Sequence, residues 1–273
     1  MNFKDRLCAM NCHYRFYELE DFFQSVHKLG MHYVELWSGP MHYYVDARRH
    51  DSPEQLKKLC DRYQITIIGI CPEQTNPKPN NIAVKQKHRQ EEVLNYYRQM
   101  IDIACVLGCR QVLVTSGWCY YSEAVEEAWN RSVVMMKRIT DYAKQRNVIL
   151  ALEALQPEES RLVNTIQDIR RYRNEVGSSC LKVCIDFGAM ARMGHTPREY
   201  FEAFGSDIVH IHFVDGNPTG HLAWGDGSRD LKTDLAVLEE YGYQGDLSLE
   251  TATQRYYEKP WSAEMKTLKS FEE

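Results

Sequence analysis

Glu153, Asp186, His212 and Glu250 each stand near the C-terminal end of a short apolar, β-prone run. The runs are Val148-Ile-Leu-Ala-Leu-Glu153, Leu181-Lys-Val-Cys-Ile-Asp186, Ile208-Val-His-Ile-His212 and Asp246-Leu-Ser-Leu-Glu250. A carboxylate closing such a run is a poor core residue, because burying an unpaired charge is costly. Taken singly, each carboxylate reads equally well as a helix N-cap or a salt-bridge partner. Taken together, three carboxylates and one imidazole make the donor set of a divalent cation that prefers oxygen with some nitrogen. Mn²⁺ suits that set at one ion per chain, with Co²⁺, Mg²⁺ and Zn²⁺ as alternatives. His210 points the same way as His212, since strand side chains repeat every two residues. His212 lies nearer the strand end and is the expected ligand, whereas His210 is expected to be a satisfied interior histidine.

Such residues meet only if a scaffold gathers strand ends. Apolar runs at 7–12, 33–38, 65–71, 111–116, 148–155, 181–187, 208–214 and 246–251 alternate with helical patterns along the whole chain, and no Ser/Gly-rich linker divides it. Helices are expected from Tyr17 to Leu29, after Ser52 to Tyr63, from Gln86 to Leu107 and from Ser122 to about Arg146. Four more run from Thr165 to Val176, from Thr196 to Gly205, from Leu231 to Tyr241 and from Trp261 to Phe271. Ser52-Pro53-Glu54-Gln55 and Thr196-Pro197-Arg198-Glu199 carry cap residues followed by proline, and Gly30, Gly108, Gly177 and Gly242 mark C-termini. Eight strands alternating with eight helices predict a parallel α/β fold. A doubly wound sheet carries a glycine-rich turn after its first strand, but here that turn reads Met10-Asn-Cys-His-Tyr-Arg15. The expected fold is therefore a closed (β/α)₈ TIM barrel, a single domain over residues 1–273.

In such a barrel the loops after the strands form the catalytic face. They hold Asn11 and His13, Trp37 and Ser38, Glu73 and Gln74, Trp118 and Tyr120, Glu158 and Glu159, Asn217 and His221, and the segment Arg255-Tyr256-Tyr257. Trp37 and Trp118 would give an apolar wall to a bound molecule. The proline-stiffened stretch Thr75-Asn-Pro-Lys-Pro-Asn-Asn81 reads either as a cover for the pocket or as an ordinary connector.

Length and composition agree. At 273 residues the chain slightly exceeds the ~250 typical of this barrel, and 44% hydrophobic content is enough for a sizeable core. A formal net charge of −5 opposes general nucleic-acid binding. No stretch approaches the ~18 apolar residues of a membrane helix, and the first residues carry no apolar signal region. The nine cysteines are an odd number without a Cys-x-x-Cys pair, so buried, reduced thiols in a cytoplasmic protein are expected.

At these residues the chain resembles a known family, the sugar isomerases and epimerases with a xylose-isomerase-like TIM barrel, most closely those of fructoselysine and tagatose 3-epimerase type. The resemblance runs over nearly the full length. It is carried by Met31-His-Tyr-Val-Glu-Leu-Trp-Ser-Gly39, Ile67-Ile-Gly-Ile-Cys-Pro-Glu73, Leu152-Glu-Ala-Leu-Gln-Pro-Glu-Glu-Ser160 and Gly242-Tyr-Gln-Gly-Asp-Leu-Ser-Leu-Glu250. It implies that Glu153, Asp186, His212 and Glu250 hold the metal, with Glu153 and Glu250 also acting as the acid/base pair. It also implies substrate binding by Glu159, His13 and His221. Trp118, Glu73 and Tyr256 complete the expected contacts to a small sugar, and a dimer or tetramer is compatible with the resemblance. Two positions depart from the tagatose type. Ala189 stands where that type has histidine and Pro218 where it has arginine, which makes room for a larger or differently charged substrate.

The implied chemistry removes the weakly acidic proton beside a ketone and returns one from the opposite face, through an enediolate whose charge the cation offsets. The favoured substrate is a ketose or a ketosamine such as fructoselysine. An aldose–ketose isomerase would use the same abstraction but move the proton between C1 and C2. A lyase would expel water from an inosose or an aglycone from a 3-keto C-glycoside. A phosphodiesterase resembling endonuclease IV would need more histidines than these strand ends supply, and the net charge opposes DNA.

Overall fold

The apolar runs become eight strands, and their parallel pairing is dictated by the helices that return the chain after each one. In the computed structural model, which describes residues 3–74 and 78–272, the strands are β1 (Leu7–Met10), β2 (Tyr33–Trp37), β3 (Thr66–Cys71) and β4 (Gln111–Val114). They continue as β5 (Ile149–Glu153), β6 (Leu181–Asp186), β7 (Ile208–His212) and β8 (Leu247–Leu249). They form a closed barrel in chain order, and β1 pairs with β8 to shut it.

The helices are α1 (Leu19–Lys28), α2 (Pro53–Tyr63), α3 (Lys87–Leu107), α4 (Val125–Gln145), α5 (Ile166–Val176), α6 (Phe187–Arg192), α7 (Pro197–Phe204), α8 (Leu231–Glu240) and α9 (Trp261–Ser270). The expected caps at Ser52 and Thr196 accept from the backbone N–H groups of Gln55 and Glu199, and Thr165 caps α5 in the same way, accepting from Asp168 N. Ser122 does not cap α4, which starts at Val125. Glu123 ties the preceding turn instead, accepting from Tyr120 N at 2.9 Å and pairing with Arg131 at 2.5 Å. The short helix α6 was not foreseen. It starts directly at the end of β6, with Asp186 as its N-cap.

Two apolar layers hold the barrel. Between strands and helices lies the main core, with Phe22, Phe23, Tyr96, Tyr97, Met100, Met136, Ile139 and Tyr172 fully or nearly fully buried. Inside the barrel a small cluster of Met10, Cys12, Cys71, Leu113, Ala151 and Cys184 forms a floor. None of the nine cysteines is in a disulfide, and seven are buried.

The register carries the site. Glu153 pairs with Cys184, Asp186 with His212, and His212 with Ser248. Because inward positions alternate, Asp186 lies one inward step beyond Cys184 and Glu250 one beyond Ser248. The stagger thus lifts four side chains to one level at the C-terminal mouth. No helix among the described residues is long and apolar enough to cross a membrane.

Candidate metal centre and cleft

Glu153, Asp186, His212 and Glu250 converge as their strand positions require. One donor atom from each lies within 4.8 Å of the others. His212 is fully buried, and its Nδ1 faces Glu153 Oε1 at 2.7 Å, Glu250 Oε2 at 3.0 Å and Asp186 Oδ2 at 3.9 Å. Asp186 divides its carboxylate between two tasks. Oδ1 accepts from the backbone N–H of Ala189 at 2.5 Å to cap α6, while Oδ2 is buried without a hydrogen-bond partner. An orphaned carboxylate oxygen facing two further carboxylates and an imidazole suits a divalent cation of the oxygen-preferring kind. Gly188 keeps this corner open, since a Cβ there would come within 3.2 Å of Asp186 Oδ1 and 3.3 Å of His221 Nε2.

Charge in the cluster is unevenly distributed. Burial pushes the Glu153 carboxyl up to about 8, with Glu250 and Asp186 adding to the effect, and burial likewise raises Asp186. Burial acts the same way on Glu250, but His212 and His221 outweigh it and hold this carboxyl well below its usual range. Burial opposes a charged His212, yet Glu250 and the neighbouring acids raise it well above the ordinary imidazole value. His221 is raised to about 10 against its burial, by Asp186 and Glu250. Its Nδ1 lies 2.9 Å from the Glu250 carbonyl oxygen and 3.3 Å from Glu250 Oε2.

Above the cluster opens a cleft of ≈320 Å³. Of the four cluster residues only Glu153 and Glu250 line it, together with Glu73, Gln74, Gln156, Glu159, His221, Trp37, Arg15 and Lys78. The glutamate Glu159 accepts from Gln156 N at 3.1 Å, and burial raises its carboxyl. Glu73 pairs with Lys78. Arg15 lies over the rings of Trp37 and Tyr257, at 5.5 and 4.8 Å from their centroids. Trp37 thus lines the cleft with a cation against its ring.

Three other expected contacts stand elsewhere. His13 is fully buried behind the cleft, with Nε2 3.0 Å from Glu264 and Nδ1 3.1 Å from Thr251 Oγ1. Tyr256 is buried too; its hydroxyl donates to Asp226 at 2.7 Å and accepts from Ala223 N at 2.9 Å. Trp118 lines a neighbouring cleft of ≈340 Å³ with Tyr120, Tyr121, Glu158 and Glu159. Glu158 is exposed and pairs with Arg192. Within the stretch Thr75–Asn81, residues Thr75, Asn76 and Pro77 lie outside the described residues, and so does that part of the expected cover. Asn81 anchors its far end, donating to Trp118 O at 2.8 Å and accepting from Trp118 N at 2.9 Å.

Sequence reasoning passed over Arg15, Lys78 and Glu35. The signal for Glu35 was available: a lone charge inside Tyr33-Val-Glu-Leu-Trp37, where its neighbours Val34 and Leu36 are fully buried, requires partners. They are His210 Nε2 at 2.8 Å, His212 Nε2 at 3.1 Å and Ser248 Oγ at 2.6 Å. Burial alone would raise the Glu35 carboxyl, but the two histidines hold it well below its usual range. His210 is thus the satisfied interior histidine expected.

The fold has counterparts among known proteins. The model of the xylose isomerase-like TIM barrel family matches residues 23–271. Fructoselysine 3-epimerase of Escherichia coli O157:H7 is 27% identical over 244 residues, covering 89% of this chain and 88% of that protein. The apo structure of 3-keto-D-glucoside 4-epimerase from E. coli superposes with a TM-score of 0.79 at 14% identity, over 97% of this chain and 99% of that one. The IOLI protein, solved with a bound zinc atom, superposes with a TM-score of 0.76 at 20% identity, over 98% and 96% of the two chains.

Proposed function

The chain belongs to the xylose isomerase-like TIM barrel family, and from that premise we propose that it is a divalent-metal-dependent epimerase acting at carbon 3 of a ketose or ketosamine. One observation carries the chemistry. Of the four converging residues, the two glutamates alone open into the cleft, and they stand at the end of β5 and just after β8, with two strands between them. Glu250, whose Oε2 lies 3.3 Å from His221 Nδ1, acts as the base and takes the proton from the carbon beside the ketone. Glu153 returns a proton to the other face of the same carbon, so the configuration inverts and no atom is lost. Asp186 and His212, closed off from the cleft, serve to hold the ion. An ion held by these four residues, Mn²⁺ by the balance of oxygen and nitrogen donors, supplies positive charge against the oxyanion that develops as the proton leaves. Trp37 shields one side from water.

The cleft also bears on the substrate. Glu159 and His221 lie near the reacting end, while Arg15 and Lys78 reach in from the loops after β1 and β3. A sugar linked through an amine to an amino-acid end offers a cation for Glu159 and a carboxylate for Arg15, and the fructoselysine epimerases are relatives across most of the chain. Neither Ala189 nor Pro218 lines the cleft, so the room for the substrate is set by the residues named above. The favoured substrate is thus a ketosamine of the fructoselysine type.

The test is solvent deuterium incorporation with Mn²⁺ present, across free ketohexoses, fructosamines and 3-keto glycosides. The expected result is deuterium at carbon 3 of the ketosamine, with higher kcat/KM than for fructose, tagatose or psicose. Deuterium at C1 or C2 would make the enzyme an aldose–ketose isomerase, and release of water or an aglycone would make it a lyase. Equal or better turnover of free ketohexoses would remove the ketosamine preference.

A further inference from the structure

Beneath the cluster, Glu35 is a fully buried carboxylate to which the proposed reaction gives no task. It reaches the barrel axis from β2, where the register against β3 shifts between Val34 and Glu35. Such a shift re-aims a side chain relative to a regular ladder. A single oxygen, Oε2, receives three hydrogen bonds from two other strands: Ser248 Oγ on β8 at 2.6 Å, and His210 Nε2 and His212 Nε2 on β7 at 2.8 and 3.1 Å. All four residues are buried to within 1%.

We propose that Glu35 is the positioning residue of the metal centre, fixing the His212 ring so that Nδ1 presents its lone pair to the cation. The inference rests on the metal-site reading above and goes beyond it. Glu35 Oε2 can only accept, so the facing His212 nitrogen must carry the proton. Nδ1, on the other edge of the same ring, is turned toward Glu153, Asp186 and Glu250. Ser248 and His210 in turn hold the carboxylate still. A histidine ligand whose second nitrogen donates to a fixed carboxylate has both its tautomer and its ring plane set before the ion arrives.

A competing arrangement uses the same atoms differently. Cys184, His210 and His212 also bring one donor each within 4.8 Å, and a second ion there would draw on both histidines that face Glu35. Metal stoichiometry separates the two.

The experiment measures Mn²⁺ affinity and stoichiometry by calorimetry, and the visible spectrum of the Co²⁺ form, for the wild type, Glu35→Gln and Asp234→Asn. Asp234 is a buried carboxylate on α8, paired with Arg229 of the preceding loop and away from the cluster, and controls for general destabilisation. Glu35→Gln is expected to bind Mn²⁺ ~10–100-fold more weakly and to shift the Co²⁺ bands, while Asp234→Asn lowers only the melting temperature. Affinity within about threefold of wild type for folded Glu35→Gln would overturn the proposal. So would two ions per chain with one lost in Cys184→Ser. If Glu35→Gln does not fold, Ser248→Ala carries the test, because it frees the carboxylate from its shortest bond. An affinity loss supports the proposal and an unchanged affinity overturns it. A wild type that binds no Mn²⁺, Co²⁺ or Zn²⁺ would overturn the metal-site reading together with this proposal.

Discussion

Glu250 is asked both to hold a cation and to take a proton. Exchanging it for glutamine keeps its size and one ligand oxygen but removes the base. Glu250→Gln is expected to lower kcat by ~10²–10⁴-fold, toward the upper end because two roles are lost. Circular dichroism and melting temperature should stay near wild type, and turnover within about threefold of wild type would reduce Glu250 to a structural carboxylate. The convergence of these four positions was legible because a charged or imidazole group at the end of an apolar strand breaks its own pattern. Asp186 shows that the bland and the functional readings can both hold, since it caps α6 and still leaves an oxygen for the cluster. The lone charge of Glu35 was visible in its apolar run, but the partners it requires were not. It sits mid-strand, and its partners lie 175 to 213 residues further along the chain, a separation that local patterning does not carry. His13 was expected at the substrate from the family resemblance and Tyr256 from its place after a strand, but a residue after a strand can turn outward into the helical layer as readily as toward the axis.

At the scale of elements, the loops after β7 and β8 are clamped to each other and to α9 by one carboxylate. Asp226 accepts from Arg255 at 3.0 Å and Tyr256 at 2.7 Å and pairs with Lys266, while its side chain is only 5% exposed. Burial opposes its ionisation, but Lys266, Tyr256 and Arg255 hold its carboxyl below the ordinary value. A carboxyl lowered in the folded state stabilises it fully above the unfolded value near ~3.9, and that stabilisation disappears as pH falls through the folded value. Asp226→Asn is expected to cost about 2 kcal/mol at neutral pH, read from urea unfolding. The difference from wild type should shrink below pH ~4; a gap independent of pH would mean that packing rather than charge holds the loops. Strand and helix positions were readable from period and caps to within a few residues. The exceptions are instructive: α6 is too short to show a period, and the turn before α4 is fixed by Glu123 reaching Arg131, a contact that spans eight residues.

For the molecule as a whole, a cation that binds only the folded barrel should stabilise it by mass action. At a free Mn²⁺ concentration of ~100 times Kd the gain is about 2.7 kcal/mol, or roughly 5–8 °C in melting temperature for a chain of this size. A thermal-shift titration with Mn²⁺, reversed by EDTA, measures it; a midpoint that does not move would argue against a bound ion. The closed ring also divides its labour unequally. The four cluster residues stand in or directly after β5 to β8, whereas Arg15, Trp37 and Lys78 of the cleft come from β2 or the loops after β1 and β3. Exchanges in that first arc can therefore retune which sugars enter without disturbing the arc that handles the proton, so that taste and trade are separable.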